Sequence, residues 1–141
     1  MLGRKLFAMP VSPSSDDLVE ITVDREIADT QNRLVGAITG AGLSVFSIID
    51  HAAAAQAVGL QMPPTRVLLY GNPRGGTPVM LQTPAAALDL PLRVLVRATP
   101  DNRTVVAFHP IVPMLTRIGA PNESADRLVP AQQLLIKALK E

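Results

Sequence analysis

The polar residues that could do chemistry in this chain sit where apolar runs end and helical signals begin. His51 follows Asp50 at the close of a β-branched run and opens the Ala-rich segment Ala52–Val58. A helix N-terminus offers free N–H groups to an anion and lowers an imidazole's pKa, so this pair could hold an anion. It could also serve acid–base chemistry, with Asp50 or Asp89 orienting the His51 imidazole. The simpler reading, and the preferred one, is that Asp50 or His51 caps the helix.

A second candidate is the loop Gly71-Asn72-Pro73-Arg74-Gly75-Gly76-Thr77. It follows a strand, precedes a helix, and brings a guanidinium (Arg74) and a hydroxyl (Thr77) to the helix start, as an anion site would. It lacks the Gly-Lys-Ser/Thr ending of a Walker loop and the spacing of GxGxxG. The competing reading is a sharp turn whose glycines take positive φ and whose Asn72 is extended before Pro73. Asp89, in Asp89-Leu90-Pro91, can cap backbone or act as a general base if a partner lies within reach. His109 is the other histidine. No HxxxH-type spacing links it to His51, so the spacing defines no metal site. Neither GxSxG nor any other Ser–His–acid motif is present.

Composition narrows the classes. The 141 residues are 48% hydrophobic but only 3% aromatic, so a core must be built from Val, Leu, Ile, Ala and Met. Few aromatics and a net charge of +1 argue against nucleic acid as a partner. The absence of cysteine removes disulfides, thiol catalysis, iron–sulfur clusters and thiolate zinc sites. Arg4 and Lys5 before Leu6–Met9 faintly resemble the start of a signal peptide, but Pro10 and Ser12–Asp17 interrupt it. No run reaches the roughly 20 apolar residues of a membrane helix. The expectation is a soluble, cytoplasmic protein with a flexible arm over 1–17 and one globular domain over 18–141.

Within that domain, Leu18–Val23 alternates as a half-buried strand, and Asp24 suits the N-cap of a helix over Arg25–Ala41 closed by Gly40 and Gly42. Leu43–Ile49 and Arg66–Tyr70 read as further strands. Thr77-Pro78 predicts a helix start, and Thr83-Pro84 predicts that this helix breaks in two. Leu92–Arg97 and Arg103–His109 form an antiparallel hairpin around Ala98–Asn102, with Arg93, Arg97 and Arg103 on a solvated face. Pro110–Arg117 reads as a short helix, and the tail sets Leu128, Ala131, Leu135, Ala138 and Leu139 on one helical face, with Pro130 in its first turn or kinking it. These elements predict a two-layer α+β fold, a mostly antiparallel sheet of about five strands with helices packed on one face. A doubly wound parallel sheet is the alternative, and the adjacent last strands argue against it.

Several blocks in order, among them Gly42–Phe46, Ile49-Asp50-His51, Leu69–Pro73, Gly76–Met80 and Leu88–Leu92, resemble the bacterial domain-of-unknown-function 302 family over about Asp24–Phe108. The resemblance implies a compact α+β domain with an antiparallel sheet that associates as a homodimer, with no activity assigned. Its pattern residues fall here on Asp50, His51, Gly71, Asn72, Pro73, Asp89, Leu90 and Pro91. After Phe108 this chain departs from the pattern with His109-Pro110-Ile111, which weakens any two-histidine site.

The leading functional expectation is a homodimeric binding module for a small, possibly anionic molecule. Its pocket would form where Asp50 and His51, the Gly71, Asn72, Arg74 and Thr77 turn, and Asp89 converge. The alternatives are a hydrolase- or isomerase-like enzyme using His51, and a structural or interaction domain without ligand. No cofactor is identified.

Overall fold

A computed structural model describes residues 17–141; all of the expected arm except Asp17 lies outside the described residues. Five strands, β1 (Val19–Val23), β2 (Ser44–Asp50), β3 (Thr65–Gly71), β4 (Leu92–Ala98) and β5 (Thr104–Phe108), form one sheet in the order β1-β5-β4-β3-β2. Every neighbouring pair is antiparallel, so the α+β expectation holds and the doubly wound alternative falls. The helices are α1 (Ile27–Gly40), α2 (His51–Ala57), α3 (Pro73–Gln82), α4 (Ile111–Thr116), α5 (Asn122–Asp126) and α6 (Pro130–Lys140), with a 3-10 turn over Pro84–Leu88.

Strand alternation decides which face is buried. Ile21, Val106, Val96 and Leu68 share one face by register and pack with Leu34 and Ile38 of α1 and Leu135 of α6 in a single core. The opposite face carries Glu20, Arg93 and Arg97, with Arg97 3.8 Å from Glu20. Arg103 lies in the hairpin loop rather than on a strand. There it joins the Thr99 hydroxyl in holding the Asp101 carboxyl below its ordinary pKa, the Thr99 hydrogen bond being the larger cause.

Helix starts differ from expectation where a cap was misassigned. Glu26, not Asp24, is the N-cap of α1, and it makes no side-chain cap. The helix after β3 opens at Asn72-Pro73, and Pro78 lies inside it. The Asn72 side chain accepts the Arg74 N–H at 3.0 Å, which fixes the first turn early. Pro78 then costs only one intrahelical bond. Gly75 and Gly76 are therefore helical, not positive-φ turn residues. Helix α5 had no separate signal in the sequence.

Tyr70 joins the two layers. Its side chain is fully buried and its hydroxyl donates to the Ala131 carbonyl of α6 at 2.9 Å. Burial raises the phenol's pKa well above its ordinary 10.0. As pH climbs past 10.0 the unfolded phenol ionises while the folded one stays neutral, so this contribution is complete below that pH and is lost above it. Tyr70→Phe should cost about 1 kcal/mol at neutral pH. It should also lessen the alkaline loss of stability, both measured by urea unfolding across pH. With one tyrosine in the chain, tyrosinate absorbance reads this group alone.

Candidate functional site

One end of the sheet carries a cavity of about 460 Å³, within the range typical of small-molecule sites. Five elements of the fold enclose it. Leu43 and Phe46 come from the start of β2, and Gly71 and Asn72 from the end of β3. Gly75, Gly76, Thr77 and Met80 come from α3, while Leu90, Pro91 and Leu92 enter β4. The far wall is Arg127, Leu128, Pro130, Ala131 and Leu134, from the α5–α6 junction and α6.

Local chemistry explains why these parts stand where they do. A bulge between Val45 and Ser47 brings the Phe46 ring close to Gly71, 3.8 Å from where a Cβ there would lie. The Tyr70–Ala131 bond fixes α6 over the end of β3. Gln132, also buried, accepts the Ile111 N–H at 3.0 Å and donates to the His109 carbonyl at 2.7 Å. The buried Ser124 hydroxyl donates to Gln82 at 2.6 Å, tying α5 to α3. Gly75 packs closely against the α5–α6 junction: a Cβ there would lie 3.3 Å from the end of the Leu128 side chain, which would have to shift slightly to admit it.

The lining is mostly hydrocarbon. Among the described residues its polar side chains are Asn72, Thr77 and Arg127, with Arg127 the one charged group and no carboxylate in the lining. Walls of this kind can accommodate a mainly apolar molecule with one hydrogen-bonding or anionic end.

The expected site residues separate into two groups. Gly71, Asn72 and Thr77 line the cavity. Arg74 is exposed and contributes only its backbone to the Asn72 cap. Asp89 closes the 3-10 turn beside the cavity, outside its lining, with Arg93 3.9 Å from its carboxylate.

Asp50 and His51 do not join them. Asp50 pairs with Arg66 at the other end of β3, about 20 Å along the strand from Asn72 at ~3.3 Å per residue. The expected convergence of three polar corners within one chain is thus incorrect. Antiparallel β2 and β3 carry their two junctions to opposite ends. Asp50 caps α2 by accepting the Ala53 N–H at 2.9 Å, and its other oxygen lies 3.8 Å from Arg66. Neither Asp50 nor Asp89 orients the exposed His51 imidazole, so the acid–base dyad is not assembled. His109, at the end of β5, is separated from His51 by two intervening strands and hydrogen-bonds the Asp17 carbonyl at 2.6 Å. Among the described residues no group of three His, Asp or Glu is placed to hold a metal ion.

Sequence reasoning missed Phe46, Met80, Arg127 and Leu134. Leu128 and Ala131 were legible as one helical face, but nothing marked that face as a cavity wall.

An antiparallel α+β domain with an apolar cavity at one sheet end is the class these features define. The model of the family described as "Domain of unknown function DUF302" matches residues 19–141, and the chain belongs to that family. Its fold resembles the crystal structure of an uncharacterized conserved DUF302 protein from Bacillus stearothermophilus. The TM-score is 0.77 at 16% identity, over 90% of this chain and 98% of that one. The chain is also 37% identical over 78 residues to "Fluoride-specific ion channel FluC 1" of Brucella suis biovar 1, a stretch that is 55% of this chain and 31% of the channel. The like-named channel of Brucella abortus matches at 37% over 78 residues, 29% of its length. The chain thus spans less than a third of these curated relatives.

Asn72→Ala should cost about 1 kcal/mol in urea unfolding through loss of the α3 cap. Asn72→Asp, which keeps an acceptor, should stay near wild type.

Proposed function

We propose that this domain is a binding module for a small, largely apolar molecule with one anionic end, working as a homodimer in the cytoplasm. The observation that carries the reading is the 460 Å³ cavity whose hydrocarbon lining holds, among the described residues, a single cation, Arg127. The apolar walls supply affinity through burial. The guanidinium supplies preference for an anion, modest because the side chain is exposed.

The Brucella channels favour a module over a pore. None of the helices described here is long and apolar enough to cross a membrane, so the stretch shared with those channels is read as a domain attached to the transport machinery. A ligand-binding attachment to an anion channel suits a sensing role. The homodimer reading draws on the large apolar side chains left exposed, Phe46, Ile48, Val58 and Leu60 among them.

Anilinonaphthalene sulfonate, apolar rings with one sulfonate, is a suitable probe, and N-phenylnaphthylamine is its neutral counterpart. Wild type should enhance the fluorescence of both. Gly76→Leu should abolish it, because a Cβ there meets two other lining side chains, Leu90 and Met80, 3.8 and 3.9 Å away, and a longer side chain must occupy the cavity. Gly76→Ala should bind normally and gain several tenths of a kcal/mol in stability. Arg127→Gln should weaken the sulfonate about fivefold, the ~1 kcal/mol of an exposed ion pair, and leave the neutral probe unchanged. Equal binding by Gly76→Leu and wild type would remove the cavity from consideration.

A further inference from the structure

Hydrogen bonds at the start of α3 leave its polar groups unequally occupied. The Gly75 and Gly76 N–H groups both donate to the Asn72 carbonyl at 2.9 Å, and the Arg74 N–H donates to the Asn72 side-chain oxygen at 3.0 Å. Pro73 has no N–H, so the first backbone donors of the helix are already used. The cap also fixes how the Asn72 amide is turned. Its oxygen must be the acceptor, which leaves Nδ2 with two hydrogens to donate. Among the described residues no hydrogen bond engages that nitrogen, and neither a hydrogen bond nor an ion pair engages the Arg127 guanidinium.

These two groups share one end of the cavity. Gly75 packs against the end of the Leu128 side chain, which sets Arg127, one residue earlier, beside the first turn of α3. Asn72 and Arg127 both line the cavity. Beyond them α6 runs on to Leu134, and Leu43, Phe46 and Leu90 supply further apolar wall.

We infer that the ligand of this cavity is a monocarboxylic acid with a single hydrocarbon tail, its carboxylate held by the Asn72 amide N–H groups and the Arg127 guanidinium. The inference rests on the cavity reading above and adds the head group, the residues that select it and an upper size. Both free groups only donate, so they favour an acceptor carrying negative charge. A planar carboxylate meets the guanidinium fork with two parallel bonds, and the amide gives it a third. One guanidinium balances one negative charge, which ranks a carboxylate above a phosphate ester of nearly two. Size follows from the volume. At ~30 Å³ for a water-sized group, 460 Å³ holds no more than about fifteen non-hydrogen atoms.

The test is displacement of N-phenylnaphthylamine by octanoate, decanoate, dodecanoate and hexadecanoate, with decanol as the neutral control. Affinity should rise roughly fourfold per methylene as far as dodecanoate. It should rise no further at hexadecanoate, which is larger than the space. Decanoate should bind about tenfold more tightly than decanol. Asn72→Asp keeps the oxygen that caps α3 and replaces the amide donors with negative charge. It should weaken decanoate about tenfold or more and leave decanol within about twofold. The wild-type comparisons stand whether or not that variant folds. Decanoate no tighter than decanol, or bound equally by Asn72→Asp and wild type, would overturn the carboxylate assignment while the probe still reports the cavity. Hexadecanoate continuing the rise would overturn the size limit. Probe binding that Gly76→Leu leaves unchanged removes the cavity reading itself, and this inference with it.

Discussion

The cavity depends on how far α6 is held from the end of β3. The Tyr70 hydroxyl determines that distance by reaching from the sheet to the Ala131 carbonyl. A phenol buried without a partner would be costly, and Tyr70 is fully shut off from solvent, which pushes its pKa up. The hydrogen bond therefore selects one position of the helix. Leu128 and Leu134 flanking it join Phe46 and Met80 in lining the space that stays open beside the helix. Gln132, one residue on, secures the same helix by bonding the backbone on both sides of Pro110.

Helix α3 meets this frame at its glycines. Gly75 admits the Leu128 side chain, and Gly76 leaves open the space that a larger residue would fill. Glycine inside a helix costs about 1 kcal/mol each relative to alanine, and Pro78 removes a further bond. A sequence that accepts both costs within ten residues needs compensation, which the Asn72 cap and the Ser124–Gln82 bond supply locally. The helix is tuned for clearance more than for stability.

How much of this was legible in the residues follows from the range of the signals. The strand face of Val19, Ile21 and Val23 and the hairpin of β4 and β5 rest on local alternation, and both emerged as read. The Asn72 cap was misread because Thr77-Pro78 is an equally good local signal, and only the hydrogen bond to Arg74 decides between them. The candidate site was half legible. Gly71, Asn72 and Thr77 were found because turn chemistry shows in sequence, whereas Arg127 and Leu134 sit in a plain amphipathic tail. The mistaken convergence of Asp50 and His51 with that turn came from treating strand–helix junctions as one end of a sheet. That holds for parallel strands, where crossovers return the chain to the same side. In this antiparallel sheet, consecutive junctions alternate ends.

The two ends of the sheet consequently differ in kind. At the cavity end, α3, α5 and α6 are tied to their surroundings by hydrogen bonds from the buried side chains of Tyr70, Ser124 and Gln132. At the other, α2 is held by the Asp50 cap and the loop beyond it is exposed, which places this lobe among the least protected parts of the structure. Strand β2 belongs to both. Phe46 lies on the cavity wall and, half exposed, on the open edge. A bulge at this residue turns one aromatic ring toward Gly71 while the strand beyond keeps its ladder with β3. A local irregularity in one strand thereby helps close a cavity that the regular ladder would leave without that wall.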